Sequence, residues 1–127
     1  MISLFLITHG MFGESLIQTA CHVLGAPPPQ LLALGMNGES PETLLPRAKE
    51  ILLSLANEQG VLILNDMIGA SPANLTKQLL IPGVIEGVSG VNLPMLLRAL
   101  TYRNLPMEAL IEKILECSSA SILRIPS

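Results

Sequence analysis

The sequence predicts an α/β domain, a three-layer sandwich around a mostly parallel, doubly wound sheet. Three observations predict it. Short apolar runs alternate with segments whose apolar residues recur at helical spacing. The runs at residues 2–8 and 60–65 are apolar almost throughout, as strands covered on both faces must be. The 127 residues contain no repeat, low-complexity segment or linker, so a single core has to hold them.

The first strand, residues 2–8, runs straight into His9-Gly10. A helix follows over 14–24, where Leu16, Ile17, Ala20, Cys21 and Leu24 form one stripe. Gly25 and Pro27 stop it. Residues 30–35 make a second, short strand. The loop Asn37-Gly38-Glu39-Ser40-Pro41 leads to a second helix with two competing caps. Ser40 with Pro41 reads as N-cap plus first helical residue. Pro46 would then fall well inside the helix and delete a hydrogen bond. With Thr43 as cap, Pro46 sits in the first turn, where its missing N–H costs nothing. The main helix is therefore expected from near Leu44, after a preliminary turn, to a point before Gly60.

Residues 60–65 (GVLILN) are the third strand, central by their apolarity. Asp66 to Ala70 is a loop. Ser71-Pro72 opens the third helix with Ser71 as cap, and Ile81-Pro82-Gly83 closes it. A fourth strand covers 84–88. After the turn Ser89-Gly90-Val91, Asn92 caps a helix through Tyr102. Leu105-Pro106 breaks that helix, and 107–117 forms a fifth. Residues 121–125 read as a final edge strand before Pro126. Right-handed crossovers restrict the topology. The expected strand order is 2-1-3-4, flavodoxin-like, in which ligands bind at the carboxyl ends of the strands where the winding reverses.

Composition narrows the function. Half the residues are hydrophobic, 13% are charged, and the mean hydropathy is +0.56. No apolar run approaches the ~18 residues of a membrane helix. The apolar start is short for a signal peptide and no basic residue precedes it. A cytoplasmic location without membrane insertion is expected, with the surplus apolar surface spent on a subunit or docking interface. The net charge of −3 and the scarcity of aromatics exclude nucleic acid as a partner. Cys21 and Cys117 lack metal-site spacing and read as inert thiols.

The informative polar residues fall at predicted carboxyl ends. His9 and Gly10 end the first strand, and Asp66 ends its neighbour, one strand spacing of about 4.8 Å away. A carboxylate there accepts the proton of His9 Nδ1 and leaves Nε2 as an outward-facing nucleophile or base. Gly69, Ala70 and Ser71, with Met67, form a turn whose backbone N–H groups suit an anion. Gly10 and Gly13 make a similar turn. Taken singly, His9, Asp66, Gly69 and Ser71 are ordinary strand-end and turn residues; their coincidence at the winding reversal suits a phosphoryl group carried on histidine. His22 has no acidic neighbour on its helix and reads as a surface residue.

Thr8-His9-Gly10, the loop Asp66-x-x-Gly69-Ala70-Ser71-Pro72 and Gly90-Val91-Asn92-Leu93-Pro94-Met95 together resemble the mannose-family enzyme IIA component of the phosphoenolpyruvate-dependent sugar phosphotransferase system. The resemblance spans the chain. It implies that His9 is the phosphorylated histidine and Asp66 its orienting carboxylate. It implies a phosphate-binding role for Gly10, Met67, Gly69, Ala70 and Ser71, and places Asn92, Pro94 and Met95 near the site. It further implies phospho-HPr as donor, a IIB protein as acceptor, a homodimer that exchanges its C-terminal strand, and no metal or organic cofactor. Association with a membrane sugar permease complex is left open. Two features depart from the family: Ala70 stands where a second glycine is usual, and Met11 where several members carry an aromatic. No IIB domain accompanies the chain, so a separate acceptor is expected. A regulatory phospho-binding module and the phosphotransfer subunit of a dihydroxyacetone kinase are the alternatives.

Overall fold

Strands β1 (Ser3–His9), β2 (Leu31–Met36), β3 (Val61–Asn65) and β4 (Ile85–Ser89) form one parallel sheet, ordered β2-β1-β3-β4, in the computed structural model, which describes residues 1–126. The predicted order is the observed one. The helices are α1 (Phe12–Leu24), α2 (Pro41–Leu55), α3 (Ser71–Lys77), α4 (Leu93–Tyr102), α5 (Met107–Leu115) and α6 (Cys117–Ala120). Strand periodicity sorts the core into two halves. Leu4, Leu6, Leu62 and Leu64 point to one face, beneath α1, α4 and α5. Phe5, Ile7, Val61 and Ile63 point to the other, beneath α2 and α3. β1 and β3 are buried over their apolar length because both faces are covered.

The amino ends of the strands are pinned by polar contacts. Ser3 Oγ donates to the Leu55 carbonyl at 2.7 Å, and the buried Arg103 guanidinium donates to the Pro29 carbonyl at 2.8 Å. The carboxyl ends carry the polar residues singled out in the sequence.

Several boundaries differ from expectation. Ser40, not Thr43, caps α2: its side chain accepts from Thr43 N, and Pro41 begins the helix. Pro46 is thus inside the helix. It is tolerated because Pro46 and Glu42, whose carbonyl loses its partner, both face solvent, where water replaces the bond. Ala70, not Ser71, is the N-cap of α3, because the Ala70 carbonyl accepts the first helical bond from Asn74 N at 3.0 Å. The α3 helix also ends at Lys77, short of Ile81. The expected fifth helix breaks after Leu115, and α6 follows. The expected edge strand at 121–125 is absent: these residues pair with no strand of the chain, and Ile122, Leu123 and Ile125 are 82%, 74% and 89% exposed.

Candidate functional site

The site begins with how β1 ends. Thr8 is fully buried, and its Oγ1 accepts from the backbone N–H of Gly13 at 2.8 Å, fastening the start of α1 over the strand. Gly13 packs closely there, since a Cβ would lie 3.1 Å from that oxygen and require it to shift by a few tenths of an ångström. Gly10 turns the chain with φ of +48°, in the left-handed region that glycine adopts freely. Its N–H donates to the Met36 carbonyl at 2.8 Å. A side chain at Gly35 on β2 would overlap the Gly10 carbonyl oxygen, so a bare backbone is needed there for the turn to lie close. These contacts hold His9 as the last residue of a rigid strand, paired with Met36.

Asp66 follows β3 directly. Its Oδ2 accepts from the His9 backbone N–H at 3.0 Å and lies 2.7 Å from His9 Nδ1. Its other oxygen accepts from Met67 N at 3.1 Å. A carboxylate on Nδ1 assigns the proton to that nitrogen and leaves the Nε2 lone pair free. The Asp66 side chain is 15% exposed and that of His9 51%, so the carboxylate sits behind the ring and the ring faces solvent. Burial pushes the Asp66 carboxyl up, but the hydrogen bonds from His9 outweigh it and hold the carboxyl below its ordinary value.

Beneath the pair lies a buried polar brace that the sequence reading missed. Asn65 Nδ2 donates to the Ile7 carbonyl and to Thr76 Oγ1, both at 2.9 Å, and Thr76 Oγ1 donates to the Pro72 carbonyl at 2.9 Å. The Asn65 carbonyl also accepts from Gly90 N and Val91 N at 3.0 and 2.8 Å. One asparagine therefore joins β1, α3 and the β4–α4 turn around the end of β3. Thr8, Gly35 and Asn65 did leave a signal: each is the polar or glycine residue that closes an otherwise apolar run, and a lone glycine there marks close backbone approach.

The remaining expected residues are less tightly gathered. Met67, Gly69 and Ser71 are exposed along the loop that leaves Asp66. Gly69 takes the left-handed position, with φ of +81° and open space around it. Ala70 is extended, with φ of −125°, so the alanine in place of a glycine costs no backbone strain. Ser71 is the first residue of α3, and its hydroxyl is not consumed as a cap. Asn92 caps α4 through Met95 N at 2.9 Å, Pro94 is exposed, and Met95 is buried in the core. Among the described residues none of these three hydrogen-bonds His9 or Asp66. His22 is exposed on α1, as expected. A groove of about 330 Å³ lies at the opposite end of the sheet, lined mainly by apolar residues such as Leu52, Leu53, Val84 and Ile85, with Lys49 and Asn57 at its wall. His9 instead stands half exposed at the carboxyl edge of the sheet.

The arrangement is that of a nucleophile or base oriented from behind. The family model for the PTS system fructose IIA component, EIIA-man, matches residues 3–115. The mannose-specific EIIAB component of Escherichia coli K12 is 34% identical over 104 residues, which cover 81% of this chain and 32% of that protein. The chain thus spans about a third of the length of the curated relatives it matches. Two solved structures share the fold. The mannose/sorbose specific IIA subunit of the phosphotransferase system from Enterococcus faecalis has a TM-score of 0.87 at 19% identity, covering 99% of this chain and 96% of that one. The phosphotransferase system component EIIA from Streptococcus agalactiae has a TM-score of 0.85 at 22% identity, covering 98% and 97%.

Proposed function

Because the chain belongs to the EIIA-man family of phosphotransferase-system IIA components, we propose that it is a phosphocarrier that holds a phosphoryl group on His9. The observation that carries this reading is the 2.7 Å contact between His9 Nδ1 and Asp66 Oδ2, with Nε2 left at an open edge. Nε2 attacks the phosphorus of phospho-HPr in line. The donor's N–P bond breaks, its ring keeps the electron pair, and a new N–P bond forms on His9. Nδ1–H stays in place, so the phosphorylated ring is cationic and faces Asp66. Backbone N–H groups of Gly69, Ala70 and Ser71, with the Ser71 hydroxyl, meet the equatorial oxygens, while the Gly10 and Met67 N–H groups are already given to the Met36 carbonyl and to Asp66 and shape the turns around the site. Reversal of the step passes the group to a separate IIB protein.

The protein is expected to act in the cytoplasm, supplying a sugar permease complex. Among the described residues no helix is long and apolar enough to cross a membrane. A homodimer is the expected form, with residues 121–125 of each copy pairing on the other. The exposed Ile122, Leu123 and Ile125, together with β4 as an edge strand, support it.

Incubation with phosphoenolpyruvate, enzyme I and HPr tests the reading. The expected product is an acid-labile, base-stable label on wild type that His9→Ala abolishes. An unlabelled wild type, or a fully labelled His9→Ala variant, overturns it. Adding IIB proteins then separates a transport carrier, which one of them dephosphorylates rapidly, from a regulatory module, which none does.

A further inference from the structure

The last registered pair between β1 and β3 is Ile7 with Asn65. Past that pair the two strand ends stay joined through side chains. Asn65 Nδ2 donates to the Ile7 carbonyl at 2.9 Å, and Asp66 Oδ2 accepts from the His9 backbone N–H at 3.0 Å. Two consecutive residues thus grip the peptide groups on either side of Thr8. The Asn65 amide also carries the connection away from the sheet. It donates to Thr76 Oγ1 at 2.9 Å, and the Thr76 hydroxyl donates to the Pro72 carbonyl at 2.9 Å. The direction of each bond is fixed. Both carbonyls can only accept, so the amide donates twice while the hydroxyl accepts once and donates once.

Stability does not account for this chain of bonds. Asn65 and Thr76 are 3% and 4% exposed, and a buried polar pair adds little net stability over apolar groups of the same shape. Its effect is geometric. The chain runs from Ile7, two residues before His9, to Pro72, the residue after Ser71. It therefore spans the gap between the strand that carries the nucleophile and the start of α3, whose N–H groups meet the phosphoryl oxygens in the proposed reaction. Apolar side chains would fill that gap but let the two elements slide. Directional hydrogen bonds hold them at one separation.

We infer that Asn65 and Thr76 are positioning residues for phosphoryl transfer, setting the distance between His9 Nε2 and the backbone N–H groups of Gly69, Ala70 and Ser71. The inference rests on the phosphocarrier reading and adds two residues that touch neither the ring nor the phosphoryl group. With the chain broken, nucleophile and N–H donors no longer meet the same phosphorus together. Transfer then slows while the donor protein binds as before.

Three variants test it, with rates read well below each melting temperature so that unfolded protein does not enter. Thr76→Val keeps the shape and removes the hydroxyl; Thr76→Ser keeps the hydroxyl and removes a methyl. For Thr76→Val, single-turnover labelling at saturating phospho-HPr is expected to slow about ten-fold, with the half-saturating concentration within about two-fold of wild type. Phosphoramidate, a small donor that needs no docking, is expected to label Thr76→Val more slowly by the same factor, since the fault lies at His9. Thr76→Ser is expected to label within about two-fold of wild type, because the relay of bonds survives. Asn65→Leu, which removes both amide bonds, is expected to slow labelling at least as much as Thr76→Val. A Thr76→Val protein that melts lower yet labels at the wild-type rate overturns the inference. So does a rise in its half-saturating concentration alone, a Thr76→Ser protein as slow as Thr76→Val, or an Asn65→Leu protein as fast as wild type. If neither donor labels wild type, the phosphocarrier reading itself fails. Hydrogen exchange at the His9 backbone N–H then decides the brace alone. Exchange about ten-fold faster in Thr76→Val than in wild type and Thr76→Ser supports it, and equal exchange in all three overturns it.

Discussion

At His9 a single carboxylate oxygen performs two tasks. Asp66 Oδ2 takes the backbone N–H and faces the ring nitrogen of the same residue, so strand end and imidazole are fixed together. An amide cannot do both reliably, because its NH2 turned toward Nδ1 would favour the opposite tautomer. Asp66→Asn is therefore expected to fold and to phosphorylate about 10- to 100-fold more slowly, read as single-turnover labelling by phospho-HPr. Rates equal to wild type would remove Asp66 from the mechanism. The depressed Asp66 carboxyl also carries a pH signature. A carboxyl lowered in the folded state stabilises the fold above its unfolded value, and that stability is lost as pH falls through the folded value. As pH falls below about 4, the ordinary carboxyl value, wild type is expected to lose more unfolding free energy than Asp66→Asn. Parallel denaturation curves across that range would contradict it.

The elements deliver these residues by close backbone approach. The Gly10 turn passes over Gly35 so tightly that no Cβ fits, which makes a β2 residue part of the site's support without touching the ring. Gly35→Ala forces the turn outward. A loss of about 1–3 kcal/mol is expected, the usual range for overpacking, with slower labelling because His9 moves with the turn. Urea denaturation checks the first effect; an unchanged midpoint would show that the turn gives way freely. Strand order and the His9–Asp66 pairing were legible because they follow from apolar runs, crossover handedness and position at strand ends. The helix starts were not. Whether Pro46 is tolerated depends on which face α2 turns to water, and whether Ser71 or Ala70 caps α3 depends on which carbonyl accepts from Asn74. Both are decided by packing. The Asn65 brace was missed for the same reason: its partners Ile7, Pro72 and Thr76 belong to three separate segments.

For the molecule as a whole, β4 is an edge strand of the sheet, and among the described residues 121–126 pair with no strand. An apolar tail exposing Ile122, Leu123 and Ile125 is a liability in a lone chain and an asset in an exchanged dimer. The sequence pattern predicts a strand at 121–125, where the single chain forms none, because pairing is a property of two strands. Truncation after Ala120 is expected to convert a dimer to a monomer in sedimentation equilibrium while leaving phosphorylation of His9 intact, since among the described residues none of 121–126 hydrogen-bonds His9 or Asp66. A truncated protein with the mass of the full-length one would place the interface elsewhere.

Every part of this account depends on which ring nitrogen is free. The most direct measurement is the position of the phosphoryl group on the labelled protein, read by nitrogen-15 and phosphorus-31 NMR of the His9 ring. Phosphorus on Nε2, with Nδ1 still protonated against Asp66, is the predicted result. Phosphorus on Nδ1 would mean that the His9–Asp66 contact breaks before transfer, and would contradict the role assigned to it.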